Sequence, residues 1–279
     1  MTKKFGRLAL HTWTIDTTPL GPALEAIRLA GYDAAELRRI DFKRCYEVGM
    51  TNSQVLQMIK GSGVTVSVLG VEYGWLFATG AESKRIFKDF HISCQNAVAL
   101  SCSQLMSAPG PIEGSLKDAV GHLRTAADIA GEYGLKLSIE FNSQHANLNS
   151  VETQRDLVTA AGKKNVGLLL DAYHLARSGR PGRAFEDVPG KDIMHFQYSD
   201  LPEKPVTGVK RPTDRLMPGK GAILWSEIFQ LLNEKGYTGL MSFEAPNPEQ
   251  WNRSPIDVCK EGVDLTNQLI CNSLQGNLS

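Results

Sequence analysis

Short runs of apolar and β-branched residues alternate along this chain with longer stretches whose apolar positions recur at helical spacing. The runs at 7–12, 34–38, 64–69, 104–108, 136–141, 166–171, 193–198 and 240–245 predict eight buried strands. The stretches between them predict helices over 22–30, 53–60, 83–99, 115–133, 150–161, 225–235 and 255–271. Gly31, Gly61 and Gly236 stand just past three of these, where a residue tolerant of left-handed backbone ends a helix. Ser150 opens another, with Glu152 in its first turn. The sixth helix is the weakest and is expected near 183–188, after a segment rich in Gly and Arg. Eight strand–helix units imply a parallel sheet with right-handed crossovers and, closed on itself, a (β/α)8 TIM barrel. An open doubly wound sheet is the alternative, but no GxGxxG follows the first strand.

Length and composition fit that reading. The 279 residues, 42% of them hydrophobic, suit one large α/β barrel or two small domains, and no linker or low-complexity tract divides them. A single domain over 1–279 is therefore expected. Lys and Arg total 30, as do Asp and Glu, so there is no basic excess for nucleic acid and a small-molecule partner is expected. The five cysteines form no CxxC pair, which argues against a disulfide framework or zinc ribbon and for buried thiols in a reducing compartment. No secretory signal and no run of about twenty apolar residues is seen. A cytoplasmic protein with no membrane partner is the expectation.

Strands buried on both faces should be apolar throughout. The last four runs break that rule at the same end. "KLSIEF" carries Glu140, "NVGLLLD" ends in Asp171, "IMHFQYSD" carries His195 and Gln197, and "LMSFEAPN" carries Glu244. In a barrel the chemistry sits at the carboxyl ends of the strands, so these groups should meet at one mouth. Carboxylates crowded there repel one another, and a divalent cation relieves the conflict. Oxygen donors favour Mg2+ or Mn2+; a nearby imidazole leaves room for Zn2+ or Co2+. His174, three residues beyond Asp171, is placed to reach over such an ion. The polar residues of the earlier strands read less sharply. Trp13 is expected in the core and Trp75 on an apolar pocket wall, while Glu36 and Arg38 fit an internal ion pair as well as substrate contact.

The second half of the chain resembles the xylose-isomerase-like TIM barrels of the sugar phosphate isomerase/epimerase superfamily. "IEF" followed by "SQH", then "NVGLLLDAYH", "DRLMPGKGAI" and "SFEAPNPE", are similar in order to segments of the 2-keto-myo-inositol isomerases. The first half matches in style only, as in "AIRLAGYDAAELR". The resemblance implies metal ligands Glu140, Asp171, Gln197 and Glu244. It implies that Glu140 and Glu244 are the catalytic acid and base, and that His174, Arg215 and His195 contact substrate. It implies an isomerase or epimerase of a small sugar or keto-polyol, working by proton abstraction alpha to a carbonyl through an enediolate. A homo-oligomer is in keeping with the superfamily. Gln197 departs from the His of the keto-inositol isomerases and is similar to hydroxypyruvate isomerases and some 3-dehydroshikimate dehydratases, so a dehydratase is the alternative. The segment 201–221, with Arg215 inside it, is a candidate lid.

Overall fold

Strand β1 (Leu8–His11) pairs in parallel with β2 (Ala34–Leu37), and each strand then pairs with the next. They are β3 (Val66–Gly70), β4 (Gln104–Ser107), β5 (Lys136–Glu140), β6 (Val166–Asp171), β7 (Ile193–Tyr198) and β8 (Met241–Phe243). β8 pairs in parallel with β1 and closes the barrel. This is the architecture of a computed structural model, which describes residues 5–209 and 211–275.

Ten α-helices surround or cap the sheet among the described residues: α1 (Leu20–Ala30), α2 (Arg39–Glu47), α3 (Asn52–Gly61), α4 (Gly80–Ala99), α5 (Leu116–Glu132), α6 (Val151–Ala161), α7 (Ala172–Arg177), α8 (Trp225–Glu234), α9 (Pro248–Trp251) and α10 (Pro255–Gln275). Gly31 ends α1 with φ at 87°, a backbone that glycine adopts without strain. Ser150 caps α6 by accepting from Thr153 N–H at 3.3 Å.

Three elements differ from the sequence reading, one of them the short α9, which was not expected. α2 was not expected, because its composition is polar and only Asp41, Phe42 and Cys45 are buried. The helix after β6 does not lie near 183–188; residues 182–187 form turns, and α7 begins directly after Asp171. The reason is local: Asp171 accepts from Tyr173 N–H at 2.9 Å and caps α7, whereas Pro181 and Gly182 favour turns.

The main core lies between sheet and helices. There Tyr198 packs edge-on to Trp225 at 5.9 Å between centroids, and Trp225 stacks on Phe229 at 5.3 Å. A separate apolar cluster of Val68, Met106 and Leu169 fills the barrel interior, with Tyr73 packed against it. Above it the interior turns polar. All five cysteines are free, and four of them are buried. Among the described residues no helix is long and apolar enough to cross a membrane.

Candidate active site

Glu140 is the last residue of β5, Asp171 the last of β6, and Glu244 follows β8 directly. Asp171 and Gln197 are partners in the β6–β7 register. All four of these side chains are buried, as are His11, Glu36, His174, His195 and Arg215.

Arg215 ties the cluster together. Its Nη1 donates to Asp171 Oδ2 at 2.7 Å and to Glu244 Oε2 at 2.9 Å. Its Nη2 lies 3.2 Å from His174 Nε2. A guanidinium only donates, so Nε2 accepts here, while Nδ1 lies 3.0 Å from Ser143 Oγ and faces the Ser143 backbone N–H at 3.3 Å. Burial, Arg215 and Arg177 hold the His174 ring well below its ordinary pKa, so it is a neutral imidazole. On the other flank, His11 Nδ1 accepts from Trp13 N–H at 3.2 Å. Its Nε2 therefore carries the proton and stands 3.3 Å from Glu244 Oε1.

The carboxylates strain against one another. Burial, then Glu244 and Asp171, push the Glu140 carboxyl well above the usual carboxylate range. Burial also raises Asp171, to about 6, although Arg215 pulls the other way. A bound cation would reverse both effects.

The donor set fits such a cation. One ligand atom each from Glu140, Asp171 and His174 lie within 4.8 Å of one another. Two further observations point the same way: Glu140 Oε1 and Gln197 Oε1 are shielded from water and have no hydrogen-bond partner. The amide of Gln197 is oriented from behind. Its Nε2 donates to Glu36 Oε1 at 2.9 Å, which leaves the oxygen as the free end. His195 Nε2 lies 2.8 Å from the other Glu36 oxygen. Burial would raise Glu36, but the His195 and His11 rings outweigh it and bring its carboxyl down to about 2.

A cavity of about 240 Å³ opens over this cluster, lined by Glu140, His174, Arg215, Glu244 and His11. His195 does not line it; its ring is committed to Glu36 deeper in the barrel, so the expected substrate contact is not where the structure puts this residue. The two tryptophans also exchange roles. Trp13 lines the cavity, whereas Trp75 is fully buried, with its indole N–H on Ser107 Oγ at 2.9 Å. Glu36 and Arg38 do not pair with each other; Arg38 is held by Asp16 and Asp41. Arg39, Lys43, Tyr73, Asn142 and Arg211 also line the cavity and were missed. They come from loops and from α2, where strand periodicity carries no signal.

A closed parallel barrel with carboxylates, an amide and imidazoles gathered at the carboxyl ends of its strands defines a class of α/β-barrel enzymes. The chain belongs to the xylose isomerase-like TIM barrel family, whose model matches residues 24–268. It is 26% identical over 264 residues to the inosose isomerase of Halalkalibacterium halodurans, covering 92% of this chain and 93% of that one. It is 27% identical over 233 residues to the 3-dehydroshikimate dehydratase of Pseudomonas putida, covering 80% of this chain but 35% of that one. Among solved structures, the IolI protein with a bound zinc atom shares the fold at a TM-score of 0.86 and 22% identity, covering 96% of this chain and 99% of that one.

Proposed function

We propose that the protein is a divalent-metal-dependent isomerase or epimerase of a small sugar or keto-polyol, acting by proton transfer alpha to a carbonyl. The observation that carries this reading is the placement of two carboxylates, Glu140 and Glu244, on one cavity from strands three apart around the barrel. Glu140, Asp171, Gln197 and Glu244 would hold the cation, Mn2+ or Mg2+ ahead of Zn2+ or Co2+, because their donors are hard oxygens. When bound, it supplies Lewis-acid polarisation of a substrate carbonyl and keeps its carboxylates ionised.

The residues of the chain do the rest. One of Glu140 and Glu244 takes the proton alpha to the carbonyl; the other returns a proton, to the opposite face of the same carbon in an epimerase, or to the former carbonyl carbon in an isomerase, where the hydroxyl proton also passes to the other oxygen. Arg215 holds a substrate oxygen by donating to it, and neutral His174 contacts the substrate beside it. The segment 201–221 covers the mouth and limits water while the enediolate persists. The dehydratase alternative shares the first step and differs in the second, where a hydroxyl must leave with a proton. His174 lines the cavity, but its Nε2 accepts from Arg215, so it would serve as that acid only after the ring reorients.

The test is solvent exchange. Metal-loaded protein in deuterated water is given ketoses, keto-inositols, hydroxypyruvate and 3-dehydroshikimate, each followed by NMR. Deuterium entering carbon without loss of water supports the isomerase; an unsaturated product moves the assignment to the dehydratase. Glu140→Gln and Glu244→Gln should each slow exchange by roughly 100-fold or more. Exchange that survives both substitutions would sink the proposed roles.

A further inference from the structure

Five cations line the cavity, and three of them are answered by acids of the protein itself. Arg38 Nη1 lies 2.5 Å from Asp16 and its Nη2 2.7 Å from Asp41. Lys43 Nζ lies 3.1 Å from Glu72. Arg215 is paired with Asp171 and Glu244.

Arg39 and Arg211 have no close carboxylate of this kind. Arg39 has only a long contact, Nη2 to Asp89 Oδ1 at 3.9 Å, while Arg85 holds the other Asp89 oxygen at 3.0 Å. Arg39 Nε and Nη1 are shielded from water and have no hydrogen-bond partner. The contact of its guanidinium with the Tyr46 ring, 5.6 Å to the centroid, does not satisfy those N–H groups. Arg211 is exposed and stacks over Trp13 with its guanidinium carbon 4.3 Å from the ring centroid. No carboxylate among the described residues is within ion-pair distance of it. Arg39 and Lys43 also belong to the first turns of α2, so this wall is the amino end of a helix and carries partial positive charge.

A desolvated guanidinium with donors left over is costly, and a planar oxyanion matches its fork. A neutral hydroxyl offers an acceptor but leaves the charge unanswered. We propose that Arg39 and Arg211 bind an oxyanion of the substrate, carboxylate or phosphate, set away from the reacting carbonyl. The substrate is then an acidic polyol rather than a neutral sugar. This rests on the proton-transfer reading above and narrows it.

The experiment is titration calorimetry on the metal-loaded, full-length protein with two matched pairs of probes. One pair is 3-dehydroshikimate against 2-keto-myo-inositol, both cyclic ketones, of which only the first carries a carboxylate. The other is dihydroxyacetone phosphate against dihydroxyacetone. At least one acid should bind roughly tenfold or more tightly than its neutral partner, and the pair in which it does so tells carboxylate from phosphate. Arg39→Gln and Arg211→Gln should each shrink that ratio, and Arg39→Lys should restore part of it. Arg211 is exposed, so its variant reports even where Arg39→Gln folds poorly. Ratios near one in both pairs, or ratios that neither substitution changes, overturn the proposal. Deuterium exchange on the same samples separates the two readings. Exchange into a neutral ketone with no preference for acid keeps the isomerase and removes the oxyanion site. Preference for acid with no exchange of any probe keeps the oxyanion site and removes the proton transfer.

Discussion

Glu36 is wholly buried, does not line the cavity, and still orients a candidate metal ligand beside it. Its two oxygens take the Nε2 groups of His195 and Gln197, so both amide orientation and imidazole tautomer follow from one carboxylate. Glu36→Gln replaces an acceptor with a donor that must face one of those two N–H groups. We expect Mn2+ affinity to fall roughly 10- to 100-fold with the far-UV spectrum unchanged, as titration calorimetry and circular dichroism will read. Unchanged affinity would show that Glu36 does not orient Gln197. Glu140, Asp171, Gln197 and Glu244 are legible in the sequence because each interrupts an apolar strand at the same end. Their partner is not. Glu36 meets His195 across 159 positions of chain, and no periodicity reports a contact of that kind. Trp13 and Trp75 are indistinguishable by pattern, because a large aromatic fits a core and a cavity wall equally well.

The segment after β7 owes its shape to Asp200. One oxygen accepts from Leu201 N–H and Ile223 N–H, each at 2.9 Å; the other accepts from Gly219 N–H and the Trp225 indole, each at 2.8 Å. Both ends of the segment are thus fastened to one side chain, and Arg215 is delivered between them. Gly221 leaves no room for a side chain, since a Cβ would fall 2.2 Å from Leu201 O. Asp200→Asn puts a donor where two donors already point. The expected result is a rise in KM larger than the fall in kcat, with faster proteolytic nicking between 201 and 221. Equal nicking in both proteins would argue that the segment is held by its other contacts. The sequence marks this segment only by its length. The same holds for α2 and α7, which lack the apolar stripe of an outer helix. No helix forms at 183–188, because the helix that follows β6 starts at once from the Asp171 cap.

Across the molecule the eight strands were legible to within two residues at either end, since short apolar runs at regular intervals leave a parallel barrel few competitors. The helix ends marked by Gly31 and Gly236 were clear too, whereas α3 runs through Gly61 and the left-handed backbone falls at Gly63 instead. What the barrel gathers at its mouth is a concentration of buried acid, and that has a cost for the whole fold. Loading with Mn2+ should raise the unfolding temperature, and a chelator should reverse the rise. At a free concentration about 100 times Kd the added stability is about 2.7 kcal/mol, readable by scanning calorimetry. A thermogram indifferent to the metal would mean that Arg215 alone compensates the acids.

Val68, Met106 and Leu169 stop the barrel from within. The cavity is consequently closed on the barrel side, and Trp13, Arg211 and Pro212 are among the residues that line it. Whatever enters must turn round and leave on the side it came from. For a catalyst that interconverts two molecules of one formula, the two then queue for a single cavity, and each is the other's competitive inhibitor.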